Sequence, residues 1–426
     1  MSYPDSVRYL YALGNELKAG AKFGLERIQT LLTALGNPES GLNIVHVAGT
    51  NGKGSTCAMI ASACQKAGLR TGLFTSPHLI APTERIRIDG QSVTEDRFAE
   101  LFQVVHKKAE TMVENGTLDA HPSYFETVTA MALEAFKKDT DVVVLEVGLG
   151  GRLDATNVVS PKLTVITPVD YDHEAFLGNT LASIAFEKAG ILKPGVPLIL
   201  GKQRPEAEEI IQARARELSC QVRRVADYAV IELEVSAENS QFRFLDREFT
   251  CRLPGRHQID NALTAILTCL EMDLPIAAVQ RGIAATTWPG RLEFVRRSPD
   301  WVLDGAHNPA GAQALASYIR QFCSGREVWL VYGAMRDKAI DEVTAQLFPL
   351  ASKLILTAPD FPRALRPEAI LQLADHPNAV VTPGIPAAME IALRAPESAV
   401  VFFTGSLFLV GEVRQIMQRQ GADPLQ

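Results

Sequence analysis

The chain has 426 residues, 47 % hydrophobic and 21 % charged, the balance of a globular protein with room for two or three domains. Its formal net charge of −7 argues against a general nucleic-acid or membrane-surface binder, which carries a basic field, but leaves anionic small substrates open to a few local basic groups. No apolar run approaches the roughly 18 residues of a membrane span, and the N-terminal MSYPDSVRYLYAL lacks the basic and apolar regions of a secretory signal. The six cysteines include no C-x-x-C pair, so a reduced, cytoplasmic protein is expected, with a monomer as the default.

Residues 5–36 read as helices, with Val7, Leu10, Leu13 and Leu17 and then Ile28, Leu31, Leu32 and Leu35 on helical periods. Leu42–Thr56 (LNIVHVAGTNGKGST) follows as strand, glycine-rich loop and helix, the helical pattern opening at Thr56. Such a loop aims backbone N–H groups at phosphate oxygens. Lys53 can reach the β- and γ-phosphates, and Ser55 or Thr56 offers a hydroxyl to magnesium. The spacing departs from the common P-loop: Val47 replaces its first glycine and Gly54 separates Lys53 from Ser55. A second strand, Thr71–Thr75, runs into Ser76-Pro77-His78-Leu79, which is either a plain turn or a ligand-binding strand end. Helices follow at 94–115, with Phe98, Leu101, Phe102, Val105 and Met112 as the apolar face, and at 125–137.

Asp141–Glu146 is a continuous β-branched run, the pattern of a buried parallel strand, ending in a carboxylate that is either a loop acid or a magnesium ligand. Leu163–Pro168 is the next strand, with Asp172-His173 beyond its end, and 182–192 is a helix on which Lys188 reads as a solvated surface lysine. A strand at 194–200 and a charged helix at 205–218 precede a change of pattern. From 220 to 254 short alternating segments suggest an antiparallel patch peripheral to the main sheet. A helix at 259–272 and Trp288-Pro289-Gly290-Arg291 complete a first domain, 1–297; 298–426 then repeats the α/β logic with strands at 301–304, 328–332, 353–357, 379–381 and 399–403. The fold class is therefore α/β, a mostly parallel P-loop sheet domain plus a smaller C-terminal Rossmann-like domain.

The departure at Gly49-Thr50-Asn51-Gly52-Lys53-Gly54-Ser55 resembles the phosphate loop of the ATP-dependent Mur ligase superfamily, specifically folylpolyglutamate synthase/dihydrofolate synthase. Phe74–Leu79 with Glu84-Arg85-Ile86, Glu146–Asn157, Asp172-His173, Glu187–Ile191, Pro289-Gly290-Arg291 and Asp304–Pro309 resemble that family's motifs in family order. The resemblance implies that Asn51, Gly52, Lys53, Gly54 and Ser55 hold ATP phosphates and that Ser76, Glu146 and His173 hold magnesium. It implies that Lys188 is carbamylated and supports a second magnesium, and that a monovalent cation takes part. Asn261, Arg291 and Asp304 would contact the nucleotide, and His307 and Ser406 the incoming glutamate. The pterin-side contacts would fall on Tyr124, Phe125, Glu126, Leu153, Asp154 and Ala155. The implied reaction joins L-glutamate to dihydropteroate or reduced folates through an acyl phosphate, with Lys53, Glu146, His173, Lys188 and His307 as the catalytic set. A UDP-muramyl amino-acid ligase and a non-ligase P-loop NTPase are the rival readings. The first would carry an additional N-terminal domain for the UDP group, and the second leaves Asp304 and His307 unexplained.

Overall fold

The computed structural model describes residues 1–14, 24–336, 339–374 and 376–421, so Leu17 of the first helical pattern lies outside the described residues. Two compact units emerge, each built from several stretches of chain: 1–169, 179–229 and 260–285 in the first, 170–178, 230–259 and 286–426 in the second. The second unit thus takes in segments from both sides of position 297.

The first unit is organised on eight strands: β1 (Ile44–Ala48), β2 (Thr71–Phe74), β3 (Ile86–Ile88), β4 (Gln91–Ser92), β5 (Val142–Glu146), β6 (Leu163–Ile166), β7 (Leu198–Leu200) and β8 (Val222–Arg224). They lie in the order β4-β3-β2-β5-β1-β6-β7-β8. The six from β2 to β8 run parallel, and β3 and β4 extend the sheet as an antiparallel edge. Strands β1, β5 and β6 are buried at every position, as their unbroken apolar runs require of a sheet covered on both faces. Register aligns the carboxyl ends, pairing Val47 with Glu146, Ala48 with Ile166 and Phe74 with Leu145. The loops that follow β1, β2, β5 and β6 therefore leave from one edge of the sheet.

Helices Tyr3–Ala12, Glu26–Ala34, Glu95–Glu114 and Tyr124–Phe136 cover one face, sharing a core of Leu10, Ile28, Leu31, Phe98, Phe102, Val128 and Phe136. Thr94 caps the third, accepting from Arg97 N–H at 3.2 Å, and Ser123 with Glu126 forms a capping box on the fourth. On the other face lies Lys53–Lys66, with Cys57 and Cys64 fully buried. That helix begins at Lys53, earlier than its apolar pattern suggests, because the polar first turn belongs to the loop's own chemistry. An additional helix, Ile276–Ala285, packs against it, Ser62 Oγ donating to Gly282 O at 2.8 Å.

The second unit has an antiparallel three-stranded sheet of β9 (Val230–Val235), β10 (Ser240–Phe244) and β11 (Arg247–Cys251). The expected antiparallel stretch from 220 to 254 is thus only partly so: β8 joins the large sheet in parallel with β7, because backbone pairing follows a neighbour that alternation does not reveal. The six-stranded sheet has the order β12-β13-β17-β14-β15-β16, with β12 (Glu293–Arg296), β13 (Asp300–Leu303), β14 (Val328–Tyr332), β15 (Lys353–Leu356), β16 (Ala379–Val381) and β17 (Val400–Thr404). All pairs are parallel except β12 with β13. All six cysteines are free, and no helix among the described residues is long and apolar enough to cross a membrane.

Candidate active site

In the first unit the glycine-rich loop leaves β1 and is pinned across the sheet edge, Thr50 and Asn51 N–H donating to Pro168 O at 2.9 and 3.2 Å. Gly52 caps the helix Lys53–Lys66 in a left-handed conformation (φ 83°) with no side-chain cap, so the helix's first N–H groups face the loop's concavity. A side chain at Gly52 would meet Asn261: its Cβ would sit 2.2 Å from Asn261 Oδ1. Residues 52 and 261, far apart in sequence, are thereby neighbours. Lys53 Nζ folds back to the carbonyls of Gly49 and Thr50 at 3.1 and 3.2 Å.

Glu146 closes β5 almost fully buried, and its Oε2 accepts from Ser76 N–H at 3.1 Å. Ser76 Oγ in turn accepts from an Arg85 N–H at 2.9 Å. Thr56 Oγ1 is buried without a hydrogen-bond partner in the first turn after the loop. The Glu146 carboxylate, at the end of the strand paired with the one that feeds the phosphate loop, offers hard oxygen donors that suit magnesium. Among the described residues no three His, Cys, Asp or Glu side chains gather as a metal-binding group, so phosphate and water oxygens would complete such a coordination sphere.

Lys188 is not a surface lysine. It is 4 % exposed, and its Nζ donates to Gly49 O at 2.8 Å, at the root of the phosphate loop. A carbamate there would retain an N–H for that same carbonyl, so the residues present fit the modification.

Tyr124, Phe125 and Ala155 share one buried cluster, with Phe125 against Phe74 (ring centroids 5.9 Å). Leu153 lies half-buried beside Asp154. Asp154 accepts from the N–H groups of Leu149 and Thr156 at 2.8 and 3.0 Å and from the Thr156 hydroxyl at 2.5 Å. Burial raises its pKa from the ordinary value, against those hydrogen bonds. Glu126 is held by Arg27, whose Nε lies 3.2 and 2.9 Å from its two oxygens, and by Ser123 N–H at 2.7 Å. Its carboxylate frames the start of the helix Tyr124–Phe136.

In the second unit Asp172, which the sequence places in a motif without a role of its own, is a hub. It accepts from His173 N–H at 2.8 Å and from Asn308 Nδ2–H at 3.1 Å, and its Oδ2 lies 3.5 Å from His307 Nε2. His173 and His307 thus meet around one carboxylate. His173 has a left-handed backbone (φ 53°) that turns the chain at this point. His307 Nδ1 lies 2.7 Å from Gly305 O, fixing that ring orientation. Asp304 directly follows β13, and its two oxygens accept from Leu292 and Ala306 N–H, each at 3.0 Å. Burial raises its pKa, while Arg291 opposes the rise. Ser406 caps the last helix, accepting from Phe408 N–H at 3.1 Å, and neighbouring Gly405 N–H donates to Ala306 O at 3.0 Å. One signal for Asp172 was visible: an acid directly before a histidine just beyond a strand end.

Residues 47–269 match the Mur ligase middle domain and residues 290–407 the Mur ligase glutamate ligase domain. The dihydrofolate synthase/folylpolyglutamate synthase of Bacillus subtilis is 34 % identical over 97 % of this chain and 99 % of its own length. The Mycobacterium tuberculosis folylpolyglutamate synthase, solved in complex with ADP and AMPPCP, superposes with a TM-score of 0.90 at 31 % identity, covering all of both chains. The Escherichia coli FolC, solved with DHPP and ADP, gives 0.86 at 30 % identity over 98 % of each chain. Phosphate loop, strand-end carboxylate, buried lysine and the second unit's acid–histidine set all lie within segments shared with these proteins, and the chain belongs to the folylpolyglutamate synthase/dihydrofolate synthase family of Mur ligases.

Proposed function

We propose that this ATP-dependent glutamate ligase acts on both dihydropteroate and the γ-carboxylate of reduced folates. The observation that carries the bifunctional reading is the packing of Ala155 with Tyr124 and Phe125 in one cluster, beside the strand end that bears Glu146. In this reading residues 1–297 form the ATP-binding portion and 298–426 the glutamate-ligase portion. The protein works as a cytoplasmic monomer on small molecules, without nucleic acid or membrane.

A carboxylate does not condense with an amine at neutral pH because its oxygen is a poor leaving group. One carboxylate oxygen of the acceptor attacks the γ-phosphorus of ATP, ADP departs, and an acyl phosphate results. The glutamate α-amine then attacks the acyl carbon, the tetrahedral adduct collapses, and phosphate leaves with the amide formed. Phosphoryl transfer of this kind is mainly positioning and charge neutralisation. Asn51, Gly52, Gly54 and Ser55 hold the phosphates with backbone N–H and hydroxyl groups, and Lys53 leaves its carbonyl partners to neutralise the γ-phosphate. Magnesium, held by Ser76, Glu146 and His173, with a second ion supported by carbamylated Lys188 and a monovalent cation nearby, would screen the charge that develops on the transferred group. Asn261, Arg291 and Asp304 take the nucleotide, His307 and Ser406 the incoming glutamate, and Tyr124, Phe125, Leu153, Asp154 and Ala155 the pterin side, framed by Glu126.

The test is incubation of the purified protein with MgATP and L-glutamate plus either dihydropteroate or tetrahydrofolate, with products resolved by mass. Gain of one glutamyl unit in both is expected. Gain with tetrahydrofolate alone would reduce the protein to a tail-extending enzyme. Turnover only with a UDP-muramyl acceptor would move it to the cell-wall branch.

A further inference from the structure

Arg85 is singled out by its motif yet has no place in the mechanism above. The residue is 7 % exposed, and the partners of its guanidinium are neutral. Nε–H donates to His78 Nδ1 at 2.9 Å, NH1 donates to Ser76 Oγ at 2.9 Å, and the guanidinium lies 5.3 Å from the centre of the Tyr124 ring. Among the described residues no carboxylate forms an ion pair with it, whereas Arg27, in the same unit, is paired with Glu126. A buried charge ordinarily sits with a counter-charge, because neutral dipoles and a ring face recover only part of the lost hydration.

The surroundings are prepared for a ligand. Because arginine always donates, His78 must accept at Nδ1 and carry its proton on Nε2, which lies 3.2 Å from the Tyr11 hydroxyl. With Nδ1 accepting from Arg85, the ring is neutral and adds no competing cation. Tyr11 stacks parallel to Tyr124 (centroids 5.8 Å, planes 2° apart), and the Tyr124 hydroxyl is buried with no hydrogen-bond partner. A guanidinium without an anion, an orphaned phenol and a flat aromatic pair therefore lie together, one residue contact from Ser76 and Glu146.

We propose that Arg85 is the receptor for the acceptor's carboxylate: its remaining N–H donors grip the aryl carboxylate of a planar pteroyl acid beside Ser76, holding the oxygen that is to be phosphorylated, while Tyr11 and Tyr124 flank the aromatic body. This role rests on the folate-acceptor reading and deepens it. Two charge-assisted hydrogen bonds to one carboxylate make the grip selective for the acid over its neutral amide.

The experiment is equilibrium binding of dihydropteroate and of its carboxamide to the full chain without ATP, in the wild type, Arg85→Gln and Arg85→Lys, with MgADP affinity as the control for an intact nucleotide site. The wild type should prefer the acid by roughly ten- to a hundredfold. Arg85→Gln should bring that preference to near unity with MgADP affinity unchanged, and Arg85→Lys should leave an intermediate preference. Should Arg85→Gln fail to fold, full acid preference in Arg85→Lys overturns the role and a reduced one supports it. Retained preference in Arg85→Gln, or a loss of MgADP affinity in its place, overturns it too. A wild type that binds neither compound brings down the folate reading itself, and this role with it.

Discussion

Replacing Gly52 by alanine isolates the steric demand of the phosphate loop. Two costs add. The left-handed backbone (φ 83°) disfavours any side chain by about 1–2 kcal/mol. The new Cβ would sit 2.2 Å from Asn261 Oδ1, well inside the roughly 3.5–4.0 Å of an ordinary contact. Asn261 is only 4 % exposed and has little room to retreat, so overpacking adds about 1–3 kcal/mol. Gly68, just beyond the end of the same helix, is the control: its φ is 87°, but a Cβ there meets nothing within 4 Å. Urea denaturation should show a loss of about 1–2 kcal/mol for Gly68→Ala and roughly 2–5 kcal/mol for Gly52→Ala. Calorimetric titration with MgADP should find the Gly68 variant unchanged and the Gly52 variant weakened by at least about tenfold, since both the loop and Asn261 are displaced. Equal stability losses and equal nucleotide affinities in the two variants would refute the reasoning.

Two further outcomes are expected. Arg27→Ala strands Glu126, 3 % exposed, with Ser123 N–H, so a double-mutant cycle with Glu126→Gln should give a coupling of about 1–3 kcal/mol, discounted from a fully buried pair because the Arg27 side chain is a quarter exposed; coupling near zero would assign the pair no role in framing Tyr124. His46 is fully buried on β1, and burial, with a smaller contribution from Lys193, lowers its pKa to about 3. The unfolded chain then binds a proton that the folded chain refuses, so stability is full above the unfolded pKa near 6.5 and falls by up to about 1.4 kcal/mol per pH unit below it, flattening near pH 3. His46→Gln should remove that contribution from the pH profile of urea denaturation between pH 6.5 and 4, and an unchanged slope would show that His46 protonates freely.

Strands whose burial is complete were legible, because a run such as Val142–Leu145 has few alternatives to a covered parallel strand. The glycine loop was legible because its polar turn breaks an apolar run before a helix. Pairing was not: β8 lies beside β7, and β12 lies antiparallel on β13, through backbone bonds that leave no local pattern. Lys188 could have been read better. Leu181, Ile184, Ala185 and Lys188 follow the i, i+3, i+4, i+7 spacing of one buried face, and only the residue's charge argued for solvent. Asp172 and Arg85 show a different limit, since the meaning of each comes from partners on other segments. Asp172 gains His307 and Asn308 from 135 and 136 positions away, the latter at 3.1 Å, and Arg85 gains the face of Tyr124.

The interleaving of the two units bears on how the chain can be made and divided. The turn of the three-stranded sheet is anchored late: Ala237 O accepts from the Tyr318 hydroxyl, 81 positions downstream, and Ala237 packs on the core of the six-stranded sheet. During synthesis β9–β11 leave the ribosome well before their anchor exists, and the first unit closes only when residue 285 has emerged. The early meander must wait, with Ile231 and Leu233 open to solvent even in the finished fold. A fragment cut to begin at residue 298 would lose β12, uncover one edge of β13 and forfeit the Ala237 anchor. Such a fragment is expected to self-associate, whereas one that also retains 286–297 keeps the edge of β13 covered.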